Sequence, residues 1–140
     1  MYYNVEFYKR IDGEIPVQEF LINLPSKVRA KAILEIELLK KHGLDLREPY
    51  TKALRGKKYK GIYELRIRFS SDSARIFYFM LKKDKFILLN GFVKKTSKTP
   101  IREIERALRY RDDFERRFEN EWFNCKVFWN KGKVYGRWKI

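Results

Sequence analysis

The sequence has few of the residues on which many enzymes and secreted proteins depend. It contains one cysteine, Cys125, and one histidine, His42, among 140 residues. A single cysteine excludes an internal disulfide framework and zinc sites built from several cysteines, and a single histidine excludes catalysis by a pair of histidines. No run of about 18 apolar residues occurs, so we expect no membrane-spanning helix. Residues 1–10 lack the basic and then apolar segments of a signal peptide, so we expect a cytoplasmic protein.

Common catalytic and nucleotide-binding motifs are also missing. The sequence has no glycine-rich phosphate loop, no zinc-protease motif, no Cys-x-x-Cys pair and no means of assembling a Ser-His-Asp set. Its carboxylates lack the pairing typical of two-metal phosphoryl chemistry. We therefore predict no metal and no cofactor. If the protein is an enzyme, lysine, arginine and tyrosine must carry its chemistry.

Basic residues, by contrast, are abundant and unevenly distributed. Lys plus Arg number 33 against 18 Asp plus Glu, which gives a net charge of +15. Residues 49–99 hold 14 basic and 3 acidic side chains, and residues 122–140 hold 5 basic and none acidic. Concentration of positive charge in one central block and one tail is typical of a nucleic-acid site. A merely basic surface is the alternative.

The periodicity of apolar residues predicts an α+β fold with the element order β-α-α-β-β-β-α. Apolar residues at helical spacing indicate a hairpin of two helices, one beginning near Pro16 and one near Ser26. Residues 49–60 look irregular. Alternating and apolar runs then indicate an antiparallel meander of strands over residues 62–69, 74–81 and 85–92. We expect the helical hairpin to pack on this small antiparallel sheet.

A change of composition near residue 121 divides the chain in two. Thr99 and Pro100 fit the N-cap and first position of a last helix that runs to about Glu121. Residues 1–121 are therefore predicted to form one domain. Residues 122–140 are basic and rich in tryptophan, and they are predicted to form a tail or a hairpin.

Basic residues on or beside the predicted strands are the candidates for chemistry. Arg66 lies on the polar face of the first meander strand, and Lys94 and Lys95 follow the last strand. Arg75 interrupts an otherwise apolar strand, where a charge needs either a function or a partner. That partner would be Glu64 across the strand pair, so a structural ion pair is the alternative for Arg75.

Such residues can cleave RNA by attack of the ribose 2′-hydroxyl on the adjacent phosphate. The reaction needs a base, an acid and positive charge on the transition state. Lysine in a dense cationic cluster has a lowered pKa and can act as the base, whereas arginine stays charged and clamps the phosphate. The catalytic candidates are Arg66, Arg75, Lys94 and Lys95, and the RNA-binding candidates are Lys57, Lys58, Arg68 and Lys98.

Several runs of the sequence together resemble the HigB-like branch of the RelE/ParE toxin superfamily, also described as phage-derived host-killing proteins. The resemblance covers about residues 2–120 and includes the helix around Phe20. The runs that carry it are Tyr63-Glu64-Leu65-Arg66, the segment 74–79 (ARIFYF), the segment 88–96 (LLNGFVKKT) and Thr99-Pro100.

This resemblance implies a RelE/ParE-like fold and the toxin of a type II toxin–antitoxin pair, neutralised by a helix-turn-helix antitoxin. It also implies cleavage of mRNA in the ribosomal A site. By position it places Arg66 near the scissile phosphate, Arg75 in the central strand, Lys94 and Lys95 as a basic pair, and Lys57 and Lys58 in a loop that can supply the general base. The archetypal RelE tyrosine has no counterpart at the start of the last helix, so the identity of the general acid and base stays open.

Two other functions share this expected fold. A ParE-like protein inhibits DNA gyrase by binding and cuts no RNA, and fold alone does not separate the two activities. A non-catalytic relative that binds only nucleic acid or an antitoxin is the second alternative.

Overall fold

The computed structural model describes residues 3–69, 72–82 and 84–130, with the backbone alone for residue 72 and residues 119–130. Three helices and five strands occupy most of this part of the chain. The strands are β1 (Asn4–Phe7), β2 (Thr51–Ala53), β3 (Ile62–Phe69), β4 (Asp72–Leu81) and β5 (Lys85–Val93). The helices are α1 (Pro16–Asn23), α2 (Ser26–His42) and α3 (Ile101–Asn130).

The strands form one mixed sheet in the order β1-β5-β4-β3-β2. The predicted α+β class, the helical hairpin and the antiparallel meander β3-β4-β5 are confirmed. The sheet differs from a purely antiparallel one because β1 pairs with β5 in parallel. Parallel pairing needs a long connection, and the chain from Phe7 to Lys85 provides it.

The segment predicted to be irregular contains an extra edge strand and a helical turn. Thr51–Ala53 pairs antiparallel with β3, and Lys57–Tyr59 forms a single 3-10 turn. A strand of three residues is too short to show the alternation by which strands are recognised in a sequence. It nevertheless places Lys52 opposite Glu64.

The two faces of the sheet carry separate apolar cores. One face packs against α1 and α2 through residues that include Leu65, Ile67, Ile76 and Tyr78. The opposite face packs against α3 through residues that include Ile62, Phe77, Phe79 and Ile104. Both faces are buried because successive side chains of a strand point to opposite sides, and each side receives a helical layer.

Helix α3 is longer than the sequence pattern predicted. It continues to Asn130, nine residues beyond Glu121. Phe114, Phe118 and Trp122 recur at intervals of four, which maintains helical spacing, and the next glycine comes only at Gly132. Residues 131–140, the rest of the predicted tail or hairpin, lie outside the described residues.

Among the described helices, none is both long and apolar enough to span a membrane.

Candidate functional site

The register of β3 and β4 brings three charged residues together on the sheet face that also carries α3. Arg66 of β3 lies directly opposite Arg75 of β4. Glu64 precedes Arg66 by two residues, so it projects from the same face. Phe77, opposite Glu64, belongs to the core beneath α3. A carboxylate and two arginines thus meet at the edge of this apolar core.

Glu64 is the centre of this cluster. Its Oε1 accepts a hydrogen bond from Arg75 Nε at 2.9 Å and a longer one from Arg66 Nε at 3.4 Å. Its Oε2 accepts a hydrogen bond from the hydroxyl of Thr99 at 3.4 Å. One buried carboxylate therefore fixes the positions of two arginines and of the chain just before α3.

Arg75 is almost completely buried, with 4% of its surface exposed. Its remaining contacts are also internal, because its Nη1 donates to Ser73 Oγ at 2.7 Å and to the carbonyl of Ala74 at 3.0 Å. Burial lowers the pKa of Arg75, and Glu64 opposes that effect. The ion pair with Glu64 that the sequence offered as an alternative is confirmed. Arg75 is thus a fixed positive charge beneath the surface.

Lys94 completes the cluster from the end of β5. Its backbone NH donates to the carbonyl of Ser73 at 2.7 Å, which holds it beside the start of β4. Burial lowers the pKa of Lys94, and the positive charges of Arg75, Arg66 and Lys52 lower it further, whereas Glu64 raises it. The cationic surroundings anticipated from the sequence therefore act on this lysine as expected, although burial is the larger cause.

Further basic side chains border the cluster at the same end of the sheet. Arg68 is exposed and lies opposite Ser73. Lys95 and Lys98 are exposed in the segment between β5 and α3. Because a helix N-terminus carries partial positive charge, the start of α3 adds to the positive potential there. The structure thus groups Arg66, Arg75, Lys94, Lys95, Arg68 and Lys98 around one end of the meander.

Lys57 and Lys58 are not brought to this cluster. They form the exposed 3-10 turn that precedes β3, and Ile62 at the start of β3 is four residues, about 13 Å at the usual strand rise, from Arg66. The ammonium group of Lys58 lies 6.0 Å from the ring centroid of Tyr59. Their assignment to RNA binding stays a prediction that would require RNA to extend along β3.

Sequence reasoning missed two members of the cluster. The sequence pattern gives no role to Lys52, because β2 is too short to be recognised, and the register of β2 with β3 places Lys52 opposite Glu64. The pattern predicts Thr99 as the N-cap of the last helix, but the carbonyl of Pro100 accepts the first helical hydrogen bond, from Ile104. The Thr99 hydroxyl is instead directed to Glu64.

The arrangement is suited to a phosphate-containing ligand. Arg66 is half-buried and offers the guanidinium nitrogens that Glu64 does not engage, and guanidinium groups match phosphate oxygens in geometry. A lysine with a lowered pKa beside it can exchange a proton more readily near neutral pH. Among the described residues, no three His, Cys, Asp or Glu side chains converge to hold a metal ion.

Comparison with known proteins assigns the chain to a family. Residues 19–112, about two thirds of the chain, match the model of the family described as phage derived protein Gp49-like (DUF891). The match includes the second part of α1, all of α2, the whole meander and the cluster around Glu64. No curated protein matches the chain. The chain therefore belongs to the Gp49-like family of phage-derived proteins, which is part of the RelE/HigB-type toxin group.

Proposed function

We propose that this protein is a HigB-like toxin of a type II toxin–antitoxin system that cleaves mRNA on the ribosome. The observation that carries the proposal is the position of Lys94, a lysine with a lowered pKa, within the charge cluster of Arg66 and Arg75. Membership of a toxin group supports the same activity. The electrostatics of the site and the family membership therefore support this activity independently.

In the proposed reaction the ribose 2′-oxygen attacks the adjacent phosphorus while the bond to the leaving 5′-oxygen breaks. Deprotonated Lys94 takes the proton of the 2′-hydroxyl, and Arg66 binds the phosphate oxygens on which charge develops. Arg75 stabilises that charge from below without touching the RNA. Lys95, Arg68 and Lys98 hold the neighbouring backbone. The leaving 5′-oxygen takes a proton from water, and the products are a 2′,3′-cyclic phosphate and a free 5′-hydroxyl.

The proposed partners follow from this assignment. The ribosome supplies the mRNA and orients it, which a small site built of lysine and arginine needs for rapid cleavage. A helix-turn-helix antitoxin neutralises the toxin. Both partners are cytoplasmic, and we place the toxin in the same compartment.

The test is primer extension on translated and untranslated copies of one mRNA in cells that express the protein. Wild type is compared with Arg66→Ala and with the double variant Lys94→Ala/Lys95→Ala. The buried Arg75→Ala variant is added with a check of folding. Lys41→Ala, an exposed charge at the end of α2, is the matched control. We expect cuts on translated mRNA alone, lost in the site variants and kept in the control.

Two other outcomes would replace the proposal. Growth arrest with intact mRNA and with DNA damage would indicate a gyrase inhibitor of ParE type. Normal growth together with tight binding to an antitoxin or to RNA would indicate a non-catalytic relative. If Arg66→Ala cleaved mRNA as well as wild type, the protein would be a nuclease, but Arg66 would not belong to its active site.

A further inference from the structure

One surface of this basic protein is acidic. Residues 11–26 contain three acidic side chains and neither lysine nor arginine, the longest stretch of the sequence free of basic residues. In the structure this stretch forms the turn after β1 and helix α1. It also carries two strongly exposed isoleucines, Ile11 and Ile22. An acidic and apolar surface on a chain of net charge +15 calls for a separate explanation from the basic cluster.

Two adjoining grooves lie on this surface. The larger, of about 490 Å³, is lined by residues of the turn and of α1, among them Asp12, Gln18 and Ile22. The smaller, of about 290 Å³, lies where α1 meets β5 and α3 and is lined in part by Asn90 and Arg106. Both grooves include Glu14 and Glu19 in their walls, so they form a continuous surface.

Two hydrogen-bond acceptors in these grooves are unused. Asn90 is 2% exposed, and its Nδ2 donates to the carbonyl of Glu103, but its Oδ1 accepts no hydrogen bond from any described residue. A buried acceptor without a donor costs free energy. The Glu19 side chain forms no ion pair with the residues described. It lines the same small groove as Asn90.

The other charges of the grooves already have partners. Arg10 pairs with Asp12 at 3.3 Å and with Glu14 at 3.6 Å. Arg106 pairs with Glu103 at 2.7 Å. Within the described part of the chain, these pairs leave two acceptors without a partner in the smaller groove. One is the negative carboxylate of Glu19, and the other is the neutral side-chain oxygen of Asn90, Oδ1. A group that offers several donors and one positive charge satisfies both.

We propose that these grooves bind an arginine-containing segment of a partner protein. A guanidinium group has five donors in a planar fork and carries the positive charge that would pair with the Glu19 carboxylate. Apolar side chains on either side of the arginine would cover Ile22 and the neighbouring turn. RNA is disfavoured because its phosphates would face Glu14 and Glu19. A second copy of this chain is disfavoured because two molecules of net charge +15 repel each other.

The probe is a fluorescein-labelled hexapeptide of arginine and leucine, with a matched peptide in which neutral citrulline replaces arginine. Binding to the full chain is followed by fluorescence anisotropy. Glu19→Gln is compared with Glu37→Gln, which removes an exposed carboxylate on α2. We expect the arginine peptide to bind wild type and Glu37→Gln equally, and to bind Glu19→Gln about tenfold more weakly. The citrulline peptide should bind all three weakly.

Three results would overturn the proposal. Equal affinity of the arginine peptide for Glu19→Gln and Glu37→Gln would show that its binding does not use this groove. An RNA oligonucleotide that loses affinity specifically in Glu19→Gln would assign the surface to nucleic acid. A dimer in sedimentation that dissociates in Glu19→Gln would assign it to a second copy of the chain. Each result is independent of RNA cleavage, because Glu19 is outside the basic cluster.

Discussion

Arg75 and Glu64 form a buried ion pair across the central strands, with Nε and Oε1 2.9 Å apart and each side chain 5% exposed. Taking two charges out of water is costly, and the attraction between them offsets that cost only when the geometry is good. Here the same carboxylate also contacts Arg66. The buried pair with Arg75 therefore fixes Glu64, and Glu64 in turn holds the partly exposed Arg66 in place.

Glu64→Gln tests this relationship directly. The substitution keeps the shape of the side chain but leaves Arg75 buried without a counter-charge and next to Arg66. Loss of one partner of a buried ion pair typically destabilises a protein by about 3–5 kcal/mol. We expect a decrease of about 3 kcal/mol in the free energy of unfolding, measured by urea denaturation at pH 7.

Glu37→Gln is the control for the loss of one carboxylate. Glu37 pairs with Lys40 on the exposed side of α2, where an ion pair contributes less than about 0.5 kcal/mol. Equal effects of the two substitutions would show that the Glu64 contacts add no specific stability.

Lys94 gives a prediction that depends on pH. Its pKa in the folded protein is lowered from the ordinary value of 10.5, mainly by burial, so folding disfavours its charged form. At pH 7 Lys94→Gln removes that cost, and we expect the variant to unfold at higher urea concentration than wild type. As pH rises toward 10.5 the unfolded chain holds more protons than the folded one, so the stability of wild type increases and the difference shrinks.

The measurement compares urea midpoints of wild type and Lys94→Gln from pH 7 to pH 10. Lys95→Gln makes the same change of net charge at an exposed neighbour, and it accounts for general repulsion among the basic residues. A gain in Lys94→Gln that persists unchanged to pH 10 would contradict the proposed cost of burying the charge.

The meander could be predicted because each of its strands is long enough to show its pattern. In β3 the apolar residues alternate with Glu64, Arg66 and Arg68. Burial departs from that alternation at Glu64, which is buried in its ion pair with Arg75. The edge strand β2 could not be predicted from three residues. The parallel pairing of β1 with β5 is likewise a long-range contact that local periodicity does not encode.

The site was predictable at the level of residue type and less so in geometry. Arg75 was recognisable as a candidate because a charge interrupts an apolar run. Its ion pair with Glu64 explains that interruption. The position of Lys52 depends on an unrecognised strand. The distance of Lys57 and Lys58 from the cluster depends on where their turn lies along β3, and neither charge counts nor spacing contain that information.

Gly91 supports a prediction about how α1 is attached to the sheet. A Cβ at this position of β5 would overlap the ring of Phe20, which packs over it from α1. We expect Gly91→Ala to destabilise the protein by about 1–3 kcal/mol, as overpacking usually does. Because the clash is with one side chain, the added substitution Phe20→Leu should recover part of that loss. Urea denaturation of the four proteins of this cycle measures the coupling, and independent effects would contradict it.

Tyr8 connects the end of β1 to the middle of α3. Its hydroxyl donates to Asp113, which also accepts a hydrogen bond from Arg117. Arg117 in turn donates to the carbonyl of Lys9. Burial, together with the hydrogen bond to Asp113, raises the pKa of Tyr8 to about 12. Folding therefore favours the protonated phenol.

Tyr8→Phe removes this hydrogen bond, and at pH 7 we expect the free energy of unfolding to fall by about 1 kcal/mol. Below pH 10 the phenol is protonated in both states, so this difference is constant. Between pH 10 and pH 12 the unfolded chain loses the proton that the folded protein keeps, and the advantage of wild type over the variant disappears. Urea titrations at pH 7, 10 and 11 measure it, with the exposed Tyr50→Phe as the control for loss of a hydroxyl. A difference that stays constant to pH 11 would show that neither burial nor the contact with Asp113 makes Tyr8 hold its proton more tightly in the folded protein.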